Sequence, residues 1–170
     1  IGHANSNYDP NNPYANRDPR LSRYIIYNGS TAGTNNTAIN TSADSPDNNG
    51  INKIETSTRT GYYLRKLMNP AVNANPSSVN NGWRYKPFIR YTELFLGYAE
   101  AANEAYGPNV AGAHGFSAYD VVKAIRVRAG ITGGDPYLES IKDDQDAMRE
   151  LIRNERRLEL CFEGFRFWDL

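Results

Sequence analysis

The stretch Arg153-Asn154-Glu155-Arg156-Arg157-Leu158-Glu159-Leu160-Cys161-Phe162-Glu163-Gly164-Phe165-Arg166-Phe167-Trp168-Asp169-Leu170 decides the reading of this chain. Its charges do not pair as those of a free surface helix would. Glu155, Glu159 and Glu163 recur at every fourth position as one like-charge stripe, and Arg149, Arg153 and Arg157 form a second. Glu155 has no cation three or four residues away, and Arg157 has no acid there. Like charges four residues apart cost a few tenths of a kcal/mol in an isolated helix, so these groups need partners from elsewhere in the fold. The expectation is a structural charge network of Glu155, Arg157, Glu159, Glu163 and Arg166 that locks the helix to its neighbours, each group meeting an opposite charge or a backbone amide. The alternative is an acidic metal or acid/base site. A helical di-iron site would use Glu-x-x-His repeats, and no histidine follows His114.

From residue 87 onward the pattern is helical. The last helix starts near Asp143 or Asp144, with acids in the first turn opposing the helix dipole. Ala147, Leu151, Leu158, Cys161 and Phe162 are its expected core stripe, and Gly164 closes it. A preceding helix opens at Ser117, a good N-cap, with Asp120 in the capping-box position. Val121, Val122, Ile125 and Ala129 supply its apolar face and Gly130 ends it. The first of the three has Pro87 at its first helical position. Phe88, Tyr91, Phe95, Tyr98, Ala102 and Ala105 then share one face, and Gly107-Pro108 stops it.

Residues 1–86 have a different character. Seventeen of the 20 asparagines lie in residues 1–84, against only 13 of the 38 charged residues, which reads as loops with short strands. Tyr24-Ile25-Ile26-Tyr27 is a β-type run ending at the turn dipeptide Asn28-Gly29. Thr60 to Met68 is a second strand or extended segment, and Asn69-Pro70 then favours a turn. Residues 28–52 carry no Lys or Arg, and a loop that long is usually functional or disordered. Asp47-x-Asn49-Gly50 resembles part of a calcium loop. Its first and twelfth positions would be Ser45 and Thr56, which supply no carboxylate, so an Asn/Asp turn is the expected state. The expected organisation is a loop-rich segment 1–86 and a helical segment 87–170, together one incomplete domain.

Composition removes several function classes. Nineteen basic residues balance 19 acidic ones, which argues against a nucleic-acid binder or a polybasic membrane binder. One cysteine, Cys161, excludes an internal disulfide and a Cys-based zinc site. No run of 18 apolar residues exists. His3 and His114 sit in a tail and a Gly-rich loop, and no nucleophile elbow, dinucleotide fingerprint or phosphate loop is present. The expectation is therefore no enzyme, no catalytic residue, no metal and no cofactor. The chain opens on Ile1-Gly2-His3-Ala4 and stops within a hydrophobic run, so it is expected to be a segment of a longer protein. Among the Asn-rich loops stand many aromatics. Flat aromatic faces stack on sugar C–H surfaces while amide side chains meet hydroxyls. The best candidates for ligand contact are Trp83 and Tyr27, with Asn35 and Asn36 from the long loop. In the bland alternative the tyrosines are core and the asparagines merely serve turns.

The segment Arg153-x-Glu155-Arg156-Arg157-x-Glu159-Leu160-x-Phe162-Glu163-Gly164-x-Arg166-x-x-Asp169-Leu170 resembles the C-terminal signature of SusD/RagB-type proteins. Asp18-Pro19-Arg20-Leu21, Thr60-Gly61-Tyr62-Tyr63-x-x-Lys66, Arg90-Tyr91-x-Glu93-x-x-Leu96-x-x-Ala99-Glu100-Ala101 and Arg126-x-Arg128-Ala129-Gly130 agree with the family in the same order, with Lys123 where it often has Asn. The resemblance runs from about residue 17 to 170. It implies a mainly α fold of tetratricopeptide-like helix pairs beside an irregular loop and short-strand layer. It also implies non-catalytic binding of glycans at the extracellular face of the outer membrane, for delivery to a SusC-like TonB-dependent transporter. Membrane attachment would come only through a lipid anchor absent from this chain. Two alternatives stay open: a peptide-binding member of the same family, or a structural lid of the transporter without ligand contacts in this segment.

Overall fold

In the computed structural model, which describes residues 7–73 and 77–170, the chain divides into two compact units, Ile1–Lys86 and Pro87–Leu170. The second unit is built from four helices, α2 (Tyr91–Tyr106), α3 (Ala118–Ala129), α4 (Pro136–Ser140) and α5 (Gln145–Glu159). Among its described residues the first holds one short helix, α1 (Arg20–Tyr24), and four two-residue strands: β1 (Ile25–Ile26), β2 (Thr31–Ala32), β3 (Thr37–Ala38) and β4 (Tyr63–Leu64). The fold is mainly α.

The helix boundaries follow from local chemistry. Ser117 caps α3 by accepting from the Asp120 amide, and the Asp120 carboxylate accepts from the Ser117 amide at 2.9 Å, which makes the full capping box. Gly130 ends α3 in the left-handed region, φ 109°. Asp144 caps α5 by accepting from the amides of Asp146 and Ala147. Two further helices escape a reading by periodicity because each is a single turn. α1 starts after Pro19, and α4 is capped by Asp135 with Pro136 at its first position.

α2 packs against both α3 and α5 around one core. Leu96, Ala99 and Ala102 of α2 meet Val121, Val122 and Ile125 of α3 and Met148, Leu151 and Ile152 of α5, with Leu138 and Ile141 covering from the α4 region. Three sequence expectations are corrected here. α2 starts at Tyr91, not Pro87: Phe88 and Ile89 are exposed, and Arg90 is the N-cap. Its buried stripe is Thr92, Leu96, Ala99, Ala102 and Asn103. Tyr91 and Phe95 stay outside and line a groove of about 410 Å³ between α2 and α3, with Phe116 and Val121. Of the expected stripe, Ala102 is buried and Tyr98 packs at the edge of the core, whereas Phe88, Tyr91, Phe95 and Ala105 are exposed. α5 ends at Glu159, not at Gly164, because Phe162 and Gly164 both take positive φ and turn the chain back. Leu151 of the expected stripe is buried, whereas Leu158 and Cys161 are half-buried and Phe162 is exposed.

Buried glutamates, not apolar side chains, complete the inner face of α5. Glu155 is 0% exposed and accepts from Arg126 Nη1 at 2.6 Å. Glu159 accepts from Arg128 Nη2 at 2.6 Å. Glu163 takes a two-pronged grip from Arg90 at 2.8 Å for each contact, and Arg90 also donates to the Glu159 carbonyl at 2.8 Å. Arg126 carries a second pair to Asp135. Burial works against the Arg126 charge, but the hydrogen bonds it donates to Asp135 and Glu155, with their negative charges, win and raise its pKa further. Arg157 and Arg166 lie elsewhere. Arg157 is exposed and donates to Asn154 at 2.7 Å, and Arg166 is exposed.

The far end of the α2–α5 pair is tied as well. Asn103, fully buried, donates to the Gln145 carbonyl at 3.0 Å, and Gln145 Nε2 donates to the Asn103 carbonyl at 2.6 Å. Arg149 grips Glu104 at 2.5 and 2.7 Å. The start of α2 is thus fixed to the end of α5, and the end of α2 to the start of α5, an antiparallel pair held at both ends.

Truncating one partner of a buried ion pair strands the other, typically at ~3–5 kcal/mol. Glu155→Ala should come to the lower end of that range, because the side chain of Arg126 is only 13% exposed but keeps its pair with Asp135. Glu159→Ala should cost less, because the side chain of Arg128 is 56% exposed and can turn to water. Thermal melts of both variants check this order; equal losses would contradict it.

Candidate functional site

The loop-rich unit is organised by one hydroxyl. Thr58 Oγ1 accepts from the amides of Thr60, Gly61 and Tyr62 at 3.0–3.1 Å and donates to the Tyr62 carbonyl at 2.8 Å. Gly61 sits there at φ 81°, a conformation that favours glycine. This knot ends where β4 begins. β4 pairs antiparallel with β1, Ile25 opposite Leu64 and Ile26 opposite Tyr63. The Tyr63 hydroxyl donates to the Asn49 carbonyl at 3.0 Å and accepts from the Thr58 amide at 3.0 Å, so the long loop is stitched to the strand pair.

Tyr27 leaves β1 and turns at once: Ser30 Oγ accepts from its amide at 3.0 Å and donates to its carbonyl at 2.8 Å. Its ring, half-buried, stacks on Tyr14 with centroids 4.1 Å apart and planes 20° apart. Tyr62 meets Tyr14 edge-on at 6.4 Å, and Tyr62 is itself exposed. The three rings present an aromatic platform open to solvent on the Tyr62 side. A hydrogen bond with Tyr62, then burial, pushes the Tyr14 phenol up to about 12. Tyr24, next to β1, carries Lys66 Nζ 4.5 Å from its ring centroid.

Asn35 and Asn36 occupy the tip of the β2–β3 hairpin, both exposed, with Asn36 at φ 52°. Trp83 stands on a separate loop, and its side chain is in solvent at 87% exposure. Its backbone is anchored, since Asn69 Nδ2 donates to its carbonyl at 3.0 Å. A side chain at Gly82 would come within 2.9 Å of Asn69 Nδ2 and 3.0 Å of Val72, so it would push the Asn69 amide aside. Among the described residues no ring contact joins Trp83 to the tyrosines. Four named candidates therefore divide into three places: a tyrosine platform, a hairpin tip and a tryptophan loop. Sequence reasoning missed Tyr14 and Tyr62 as partners of Tyr27. The doublet Tyr62-Tyr63, with strand alternation turning one ring away from the other, was the available signal.

The Asp47–Gly50 segment is a closed turn. Asp47 Oδ1 accepts from the Asn49 amide at 2.9 Å and from Ser45 Oγ at 3.0 Å. These bonds, the backbone one first, hold its carboxyl below the usual range. Among the described residues no group of three or more His, Cys, Asp or Glu side chains is placed to hold a metal ion, and no helix is long and apolar enough to cross a membrane.

Residues 2–170 match the model of the SusD family. The chain is 35% identical over 86 residues to SusD-like protein P38 of Formosa agariphila, covering 48% of this chain and 16% of that protein. It is 35% identical over 110 residues to SusD-like protein P2 of the same organism, covering 64% of this chain and 20% of that one. A SusD-like carbohydrate-binding protein from Bacteroides fragilis superposes with a TM-score of 0.72 at 31% identity, over 99% of this chain and 31% of its own. A second SusD-like protein from Bacteroides fragilis gives 0.65 at 28% identity, over 95% and 29%. The chain thus spans about a fifth or less of the curated relatives and under a third of the solved ones.

Because Tyr14 stays neutral well above the ordinary tyrosine range, its share of stability holds below pH 10 and is lost as pH rises through about 12. Absorbance titration near 295 nm should show one tyrosine ionising near pH 12. Tyr62→Phe should return that step toward pH 10, and an unchanged curve would contradict the hydrogen bond.

Proposed function

This chain belongs to the SusD family, and on that premise we propose that it is part of a non-catalytic receptor that captures oligosaccharides at the cell surface. The observation that carries the proposal is the pairing of rigid backbone with exposed aromatic faces in the Asn-rich unit. Trp83 is fixed at its carbonyl yet offers its whole ring to solvent, and in the Tyr14–Tyr27–Tyr62 platform the Thr58 knot holds Tyr62 and Ser30 holds Tyr27. A sugar ring needs such pre-set flat surfaces, because stacking is weak and any ordering cost on binding subtracts from it. Asn35 and Asn36 at the hairpin tip would supply amides to hydroxyls. A relative of similar fold is a carbohydrate-binding protein, which supports this ligand class.

The wider assembly belongs to the same proposal. The ligand would pass to a TonB-dependent transporter, a SusC-like barrel, at the extracellular face of the outer membrane. The intact lipoprotein would be tethered there through its acyl anchor. The polar loop 28–52, which carries Asp44 and Asp47 but no Lys or Arg, suits a wet contact and not an apolar interface, and its lack of cations gives no pull toward anionic headgroups.

An array of neutral oligosaccharides should show binding that Trp83→Ala weakens about tenfold, roughly the loss of one stacked ring. Tyr27→Ala should weaken it as well, while Glu159→Ala lowers the melting temperature and leaves affinity nearly unchanged. Binding of peptides with no glycan signal would favour the peptide reading. Silence on both would favour the lid, whose mark is co-purification with the barrel regardless of ligand.

A further inference from the structure

Arg65 follows β4 directly, and its amide donates to the Tyr24 carbonyl at 2.9 Å, which fixes its backbone beside β1. Its side chain reaches 34 residues back along the chain, where Nη2 donates to the Thr31 carbonyl of β2. Its Nε atom is buried and meets no acceptor among the described residues. A buried N–H without an acceptor opposes folding, so stability alone does not account for an arginine placed this way. What the side chain supplies is a strut between the β1–β4 pair and the β2–β3 hairpin.

The hairpin needs such a strut. Its ladder pairs Thr31 with Ala38 and Ala32 with Thr37, and a two-stranded hairpin alone is marginal in water. Its base is fixed next to Tyr27. The Gly29 amide donates to the Ile39 carbonyl at 2.9 Å, the Ile39 amide to the Ser30 carbonyl at 2.8 Å, and the Thr41 amide to Asn28 Oδ1 at 2.9 Å. A base alone leaves a lever free to swing, and the Arg65 bond on β2 is a second attachment that sets its angle. Residues 62–65 thus serve both parts of the candidate surface. Tyr62 stands in the tyrosine platform, Tyr63 and Leu64 form β4, and Arg65 holds the hairpin whose tip carries Asn35 and Asn36. Six residues lead from Tyr27 to Gly33 at the start of that tip, at most about 20 Å of extended chain, a span that an oligosaccharide of several units covers. We propose that Arg65 is a positioning residue for glycan binding, which sets the Asn35–Asn36 tip relative to the tyrosine platform.

The role in binding rests on the glycan reading above; the strut does not. The test compares the parent chain with Arg65→Met by amide hydrogen exchange and by titration on the array of neutral oligosaccharides. In Arg65→Met the amides of residues 31–38 should exchange faster, while those of the β1–β4 pair keep their rates. Affinity should fall about fivefold, the scale of one or two lost hydrogen bonds, with the melting temperature near that of the parent. The Asn35→Ala, Asn36→Ala double variant should lose as much, and adding Arg65→Met to it should cost nothing more. Arg65→Lys, which can still donate to the Thr31 carbonyl, should recover part of the affinity. Unchanged exchange in the hairpin overturns the strut. A loosened hairpin with unchanged affinity, or a loss that adds to that of the asparagine variants, overturns the positioning role. Failure of the glycan reading shows separately: the parent chain gives no array signal while Arg65→Met still loosens the hairpin, which upholds the strut and overturns its role in binding.

Discussion

Glu155 has no water to turn to, and the helical unit is arranged around that fact. A carboxylate with no exposed surface survives only if a cation reaches it with good geometry. Arg126 does so from α3, and it is itself steadied by Asp135 at the cap of α4. One guanidinium therefore sets the distance between α3 and α5 and also fixes where α4 begins. Glu159 and Glu163 repeat the device one and two turns further along, with Arg128 from α3 and Arg90 from the head of α2. The apolar core supplies the bulk of the burial energy, but it is made of interchangeable aliphatic groups. The ion pairs are what make one register of the helices better than its neighbours.

Much of this was legible in the chain, for a definite reason. A like-charge stripe on a helix is unfavourable alone, so it announces partners even though it does not name them. Capping chemistry is equally local, which is why Ser117, Asp120, Gly130 and Asp144 fall where expected. The misreadings all concern competition at longer range. Pro87 is a good first helical residue, but Arg90 has to reach Glu163, so the helix opens at Tyr91 and Phe88 and Ile89 are left outside. The aromatic stripe of α2 was the more hydrophobic face by composition. Two other helices pack on α2, however, and the alanines at 99 and 102 lie in that core.

The candidate site was legible in kind and not in arrangement. Trp83 is exposed and Tyr27 half-buried, and the ring that stacks on Tyr27 comes from Tyr14, in a segment with no periodicity to read. Arg157 and Arg166 belong by spacing to the same charge pattern as the glutamates. Arg157 faces outward because it lies on the side of α5 opposite Glu155 and Glu159, and Arg166 lies beyond the turn at Phe162 and Gly164. One sequence motif thus serves two surfaces, its acids inward and two of its arginines outward.

The double fastening of α2 to α5 also bears on how this unit comes apart. Helices ordinarily fray from their ends, where few contacts oppose the gain in backbone freedom. Here the first residues of α5 are bonded to Asn103 and Glu104, and the chain just past its last turn to Arg90, so neither end is loose. Opening either terminus breaks a charged grip as well as a backbone bond. Amide hydrogens along α2 and α5 should therefore exchange together and slowly, through loss of the whole pair at once. The helical unit then behaves mechanically as a single plank.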